Sequence, residues 1–173
     1  MRSFITLHFA VTAAVLGMVA GCSAHNAAQP ADAAKITETV NADVATMVKA
    51  LNSHDAEKAV SFDTPDYVGM FHGLPNVVGP AADLALTKQQ IADPATKVEV
   101  SGEDVSVAAA GDRALWQANY AYSFTDPATK HPKTEHGNWL LGFRKQPDGS
   151  WKIKWSVVSD TGPAPAAGAA SHT

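Results

Sequence analysis

Asp63, Asp66, Tyr67 and His72 stand close together in one stretch, and Tyr120 and His136 lie in the later, strand-rich part of the chain. These side-chain types move protons. A carboxylate or imidazole takes one from carbon or oxygen, and a tyrosine hydroxyl steadies the charge that develops. For such chemistry they must converge inside a pocket. Each also has a plainer expectation. His72 follows an apolar run and precedes a glycine, which suits a pocket mouth, yet a histidine there more commonly just bonds a loop. Asp63 and Asp66 flank Pro65 and suit a turn. His131, Glu135 and His136 are neighbours, but a proline-broken loop without helical His spacing is a poor metal signature, so neither metal nor cofactor is expected. No serine or cysteine nucleophile motif and no glycine-rich phosphate loop is present. No catalytic residue is assigned from these residues alone.

The elements around them follow from periodicity. Ile36, Val40, Val44, Met47 and Leu51 make one helical stripe over residues 35–53. Asn52 to Asp55 breaks it, and Asp55 or Ser53 caps a short helix running to Phe62. Residues 63–66 read as a turn around Pro65, and Tyr67 to His72 as a strand. Pro80 opens a third helix with Ala81, Leu84, Ala85, Lys88 and Ile91 near one face. A strand over 98–109, bulged near Gly102, leads through Gly111 into a strand over 114–124. In the latter, Trp116, Ala118, Tyr120, Tyr122 and Phe124 share one face. A hairpin over 137–159 turns at Asp148-Gly149. Trp139, Leu141 and Phe143 share a face of its first strand; Trp151, Ile153, Trp155 and Val157 share a face of its second. By parity His136 falls opposite the Trp139 face.

Helices first and antiparallel strands after make an α+β layout of 35–160. A strongly curved, mainly antiparallel sheet wrapped on the N-terminal helices would enclose a cone with an internal pocket. Trp116, Tyr120, Trp139 and Trp155 are expected on its wall, at least half of them as core filling. Those with a polar tip could also hold a flat ligand.

The ends carry an address. Arg2, the apolar run from Phe4 and the sequence Val19-Ala20-Gly21-Cys22 resemble a bacterial lipoprotein signal peptide over 1–21, cut before an acylated Cys22. Cys22 is the only cysteine, so no internal disulfide forms. Ser23 rather than an aspartate after it resembles outer-membrane sorting, which places the protein in the bacterial cell envelope facing the periplasm. Residues 22–34 read as a flexible tether and 161–173 as a disordered tail. The formal net charge of −4, with no basic cluster, argues against nucleic acid as a partner.

The segments ALNSHDAEKAVSF, YVGMFHG, GPAADLALTKQQI, AAAGDRALWQANY and GNWLLGFRKQPDGSWKIKW resemble the SnoaL-like branch of the nuclear-transport-factor-two-like superfamily, over about 35–159. The Gly111-to-Ala114 turn and the Asp148-to-Ile153 closure carry most of that likeness. The resemblance implies the cone, commonly as a dimer through the sheet, and no single chemistry. Isomerase-type members place a tyrosine on the first helix, and this helix has none facing inward. The leading expectation is therefore a small apolar ligand near Asp63, Tyr67, His72, Trp116, Tyr120, Trp139 and Trp155. The alternatives are a lyase or isomerase using His72 or Asp63 with Tyr120, and a homodimeric interaction module using the outer sheet face (Gln117, Asn119, Lys152, Lys154).

Overall fold

The computed structural model describes residues 30–161. The expected signal peptide, Cys22, the expected tether as far as residue 29 and the expected tail from residue 162 lie outside the described residues. None of the described helices is long and apolar enough to cross a membrane.

Helix α1 spans Pro30–Asn52. It begins earlier than its apolar stripe announces. Pro30 tolerates a first-turn position, alanines follow, and Asp32 in the first turn and Lys49 in the last complement the helix dipole. Residues 30–34 are therefore helix rather than tether. The stripe itself is as expected, with Ile36, Val40, Val44 and Met47 buried. Asn52 ends the helix and clamps the sheet: its amide nitrogen donates to Val98 O (2.8 Å) and its oxygen accepts from Val98 N (2.7 Å). Helix α2, Ala56–Val60, is capped by Asp55, which accepts from Lys58 N.

Strand β1 runs Asp63–Phe71 and absorbs the expected turn. Pro65 fits there because the pairing of β1 with β6 is irregular between Asp63 and Val68, where no ladder donor is required. After β2 (Val77–Val78) comes α3 (Pro80–Gln90), then β3 (Lys97–Val107), β4 (Arg113–Thr125), β5 (Pro132–Lys145) and β6 (Trp151–Asp160). The curved sheet has the order β2-β1-β6-β5-β4-β3, with β1 and β6 parallel and the other pairs antiparallel. The bulge at Gly102 is present, with φ +68 there and a register shift between Ser101 and Asp104. The core sits between α1 and the concave face, where Trp116, Leu141, Phe143 and Ile153 are almost fully buried.

A second bulge redirects β6. Gly142 pairs with Trp155 but Phe143 pairs with Ile153, so Lys154 is an extra residue. Beyond it the alternation inverts. Ser156 turns into the core at 4 % exposure, and Trp155 turns out at 40 %. Trp155 is therefore not on the cone wall. It lies across the outer side of Gly142, where a β-carbon would meet its Cε3 at 2.7 Å.

Candidate functional site

Two adjoining chambers open inside the cone. The outer one, of about 190 Å³, is walled by Phe71, Leu74, Ile91, Val98, Tyr122 and Val158, with His72, Tyr120 and Glu135 at its polar margin. The inner one, of about 90 Å³, is lined by Asp63, Tyr67, Asp83, Thr87, Leu141 and Ser156, among others. Leu51, Phe71, Gln90 and Trp139 line both, so the two chambers adjoin across these side chains.

The floor of the inner chamber is a polar cluster in apolar surroundings. Asp63 opens β1 level with inward-facing Ile153, and Tyr67 follows on the same strand at 3 % exposure. Asp83 reaches the cluster from α3. That helix is turned differently from the expected face: Thr87 is buried, Asp83 is half-buried, and Ala81, Ala85 and Lys88 are exposed. Burial first, then the charge and hydrogen bond of Asp83, pushes the Asp63 carboxyl up to about 8, against a small opposite pull from Lys152. Burial likewise raises Asp83, partly offset by its hydrogen bonds with Asp63 and Tyr67. The Tyr67 hydroxyl is held above its ordinary range by burial and by both aspartates. Asp63 Oδ2 is buried with no donor against it. Its neighbour is another carboxyl, so a proton retained by the pair at neutral pH satisfies both. Trp139 Nε1 donates to Ser156 Oγ at 2.9 Å, and Ser156 lines the inner chamber with Tyr67.

The margin of the outer chamber carries a second chain. Tyr120 Oη donates to Asp160 Oδ1 at 2.7 Å, and His72 Nε2 lies 3.0 Å from Asp160 Oδ2. The His72 side chain is 59 % exposed. Burial, with the hydrogen bond and charge of Asp160, raises the Tyr120 hydroxyl.

The expected residues thus divide. Asp63 and Tyr67 meet on the floor, His72 and Tyr120 meet at the margin, and Trp139 lies between. Trp116 is core filling: it is fully buried, packs edge-on against Trp139 (centroids 5.8 Å, interplanar 88°), and lines neither chamber. Asp66 points outward and is held by Arg144 (2.7 Å) and Lys154 (3.2 Å), because the irregular pairing around Pro65 separates it from the inward Asp63 and Tyr67. His136 is exposed and follows strict parity, opposite to the inward Glu135. That alternation puts the two on different faces and leaves them no common metal.

Asp83 was missed because α3 has only weak amphipathicity, so its inner face is not marked by apolar residues. The signal present is the spacing of Asp83, Thr87 and Gln90, which puts three polar groups on one side of a helix. Asp160, the hinge of the outer chain, stands at the strand end and carried no pattern.

The sequence profile of the SnoaL-like domain family matches residues 40–163. No curated protein matches the chain at a significant level. Among solved structures, a ketosteroid isomerase-like protein from Erwinia carotovora atroseptica superposes with a TM-score of 0.61 at 21% identity, covering 73% of this chain and 97% of that one. A hexachlorocyclohexane dehydrochlorinase of LinA type 3 from Novosphingobium barchaimii superposes with a TM-score of 0.68 at 12% identity, covering 81% and 96%. A protein with a cystatin-like fold, also resembling nuclear transport factor two, from Novosphingobium aromaticivorans gives 0.55 at 21% identity, covering 70% and 79%. Identities this low speak for a shared fold alone.

Proposed function

The chain belongs to the SnoaL-like domain family, and from that premise we propose that it binds a small, mainly apolar molecule in the cone and performs acid–base chemistry on it, as a lyase or isomerase. The observation that carries this reading is the Asp63–Asp83 carboxyl pair lining the inner chamber with Tyr67, with Asp63 Oδ2 buried and without a donor and burial raising both carboxyls. A carboxyl kept protonated near neutrality can donate to an oxygen of the ligand and, once ionised, take a proton from carbon. The outer chamber is smaller than the roughly 300–1,000 Å³ of drug-sized sites, which favours a small occupant. The inward tyrosine of isomerase-type relatives is lacking on α1, but Tyr67 supplies a hydroxyl from β1 instead.

Acylation of Cys22 would carry this domain to the envelope, on the periplasmic side of the outer membrane. The test of the chemistry needs no known substrate. The soluble domain is incubated in heavy water with small cyclic ketones and β-hydroxy ketones, and deuterium entering beside the carbonyl is followed. Exchange that disappears in Asp63→Asn supports the reading. Saturable quenching of tryptophan fluorescence without exchange for any compound would reduce the site to a binding pocket.

A second, compatible reading is a homodimer through the outer sheet face. Its support is a cross-strand row of Leu115, Gly142, Trp155, Val68 and Val78, each paired with the next. Leu115, Trp155 and Val78 in it are exposed, an apolar band of the kind that interfaces cover. Sedimentation should give a dimer for the wild type and a monomer for Trp155→Glu; a monomeric wild type removes this reading.

A further inference from the structure

The two ends of the domain differ: the described chain begins at Pro30 at one of them and finishes at Thr161, after Asp160, at the other. Helix α1 runs from Pro30 to Asn52, and at about 1.5 Å per residue its Leu51 lies about 32 Å from Pro30. Leu51 lines both chambers. The Asn52 clamp fixes this same end to Val98, which lines the outer chamber. From there β3 returns along α1 to Val107, and the turn to β4 follows at Ala108–Asp112. Asp112 O accepts from Lys145 N, which brings the Gln146–Ser150 turn alongside. The cavity mouth and these two turns are therefore at opposite ends of the strands, with Pro30 at the turn end.

Eight residue steps separate Cys22 from Pro30. Fully stretched they reach about 29 Å, and as a flexible chain they average roughly 14–17 Å. A domain inverted so that its mouth touched the bilayer would hold Pro30 about 32 Å above the surface, beyond even the stretched tether. The turn end also suits a headgroup surface without insertion: Asp112, Arg113, Lys145 and Asp148 are exposed and of mixed sign. The exposed apolar Leu74 lies at the other end, by the mouth.

We propose that the turn end faces the bilayer and that the cavity mouth opens away from it into water, so that the ligand is exchanged with the aqueous phase and not drawn from the lipid. This rests on the proposed acylation of Cys22. It is tested on the full acylated chain in phosphatidylethanolamine–phosphatidylglycerol vesicles carrying headgroup nitroxide quenchers. A fluorophore is placed either at Asp148→Cys in the turn or at Asn76→Cys beside the mouth. Cys22, being acylated, does not react with the label. The expected result is strong quenching at position 148 and severalfold weaker quenching at 76. A flexible insert that triples the tether should narrow the difference. Equal or stronger quenching at 76 in chains that float with the vesicles overturns the orientation while leaving the anchor intact. Failure of the chain to float overturns both.

Discussion

The floor and the margin of the cavity are built from the same materials and behave differently. Each sets a tyrosine beside aspartate: Tyr67 with Asp63 and Asp83 on the floor, Tyr120 with Asp160 at the margin. On the floor two half-buried carboxyls stand together, and desolvation is the largest cause of the shift on both. At the margin one carboxylate has two donors, Tyr120 and His72, and solvent reaches the histidine. Burying two carboxyls against each other disfavours the charged form of both, and the hydrogen bond from Tyr67 to Asp83 offsets this only in part. Position within the cone, not residue type, thus raises the floor carboxyls toward the range where an acid is useful near neutrality.

The largest expected effect is on proton exchange. Asp63→Asn and Asp83→Asn should each lower it by roughly a hundred- to ten-thousand-fold, whereas His72→Asn should change it far less. A reversed order, measured by deuterium uptake, would move the chemistry to the margin. The next effect is on stability against pH. The native Asp63 carboxyl keeps its proton from the ordinary carboxylate range up to about 8. Its stabilising contribution is complete below that ordinary range and is lost as pH rises through it to about 8. Urea unfolding should therefore show the wild type losing more stability than Asp63→Asn between about pH 5 and about pH 9. Parallel curves would mean that no proton is held on the floor. Trp139→Phe, which deletes the donor to Ser156 between the two regions, should cost about 1 kcal/mol. The smallest effect belongs to the margin: Asp160→Asn should cost roughly 0.2–1 kcal/mol, as exposed ion pairs do. A larger loss would show the margin to be as tightly built as the floor.

Much of the frame was legible. The α1 stripe, the Asp55 cap, the Gly102 bulge and the even-numbered face of β4 follow from local periodicity and turn chemistry, which act within a few residues. The site was legible in part. Asp63, Tyr67, His72 and Tyr120 were singled out and do line the cavity. Their division into two groups depends on Asp83 and Asp160, whose roles come from long-range contacts. Pro65 marked a turn, yet the parallel partner β6 draws that segment into a strand. Trp155 obeyed alternation until Lys154 broke it, and nothing in the local composition announces that extra residue.

That single residue acts on the strand as a frameshift acts on a message. Every side chain after it is reassigned to the other face without any change in its identity. Straightening the bulge with Lys154 retained would offer the indole of Trp155 to the floor and send Ser156 outward, at once filling the inner chamber and removing the partner of Trp139, whereas deleting Lys154 would leave a regular strand with both side chains where they are. Contact with Asp66 through both its backbone oxygen and its carboxylate holds Lys154 on the outside. A surface ion pair thus guards the spelling of the interior.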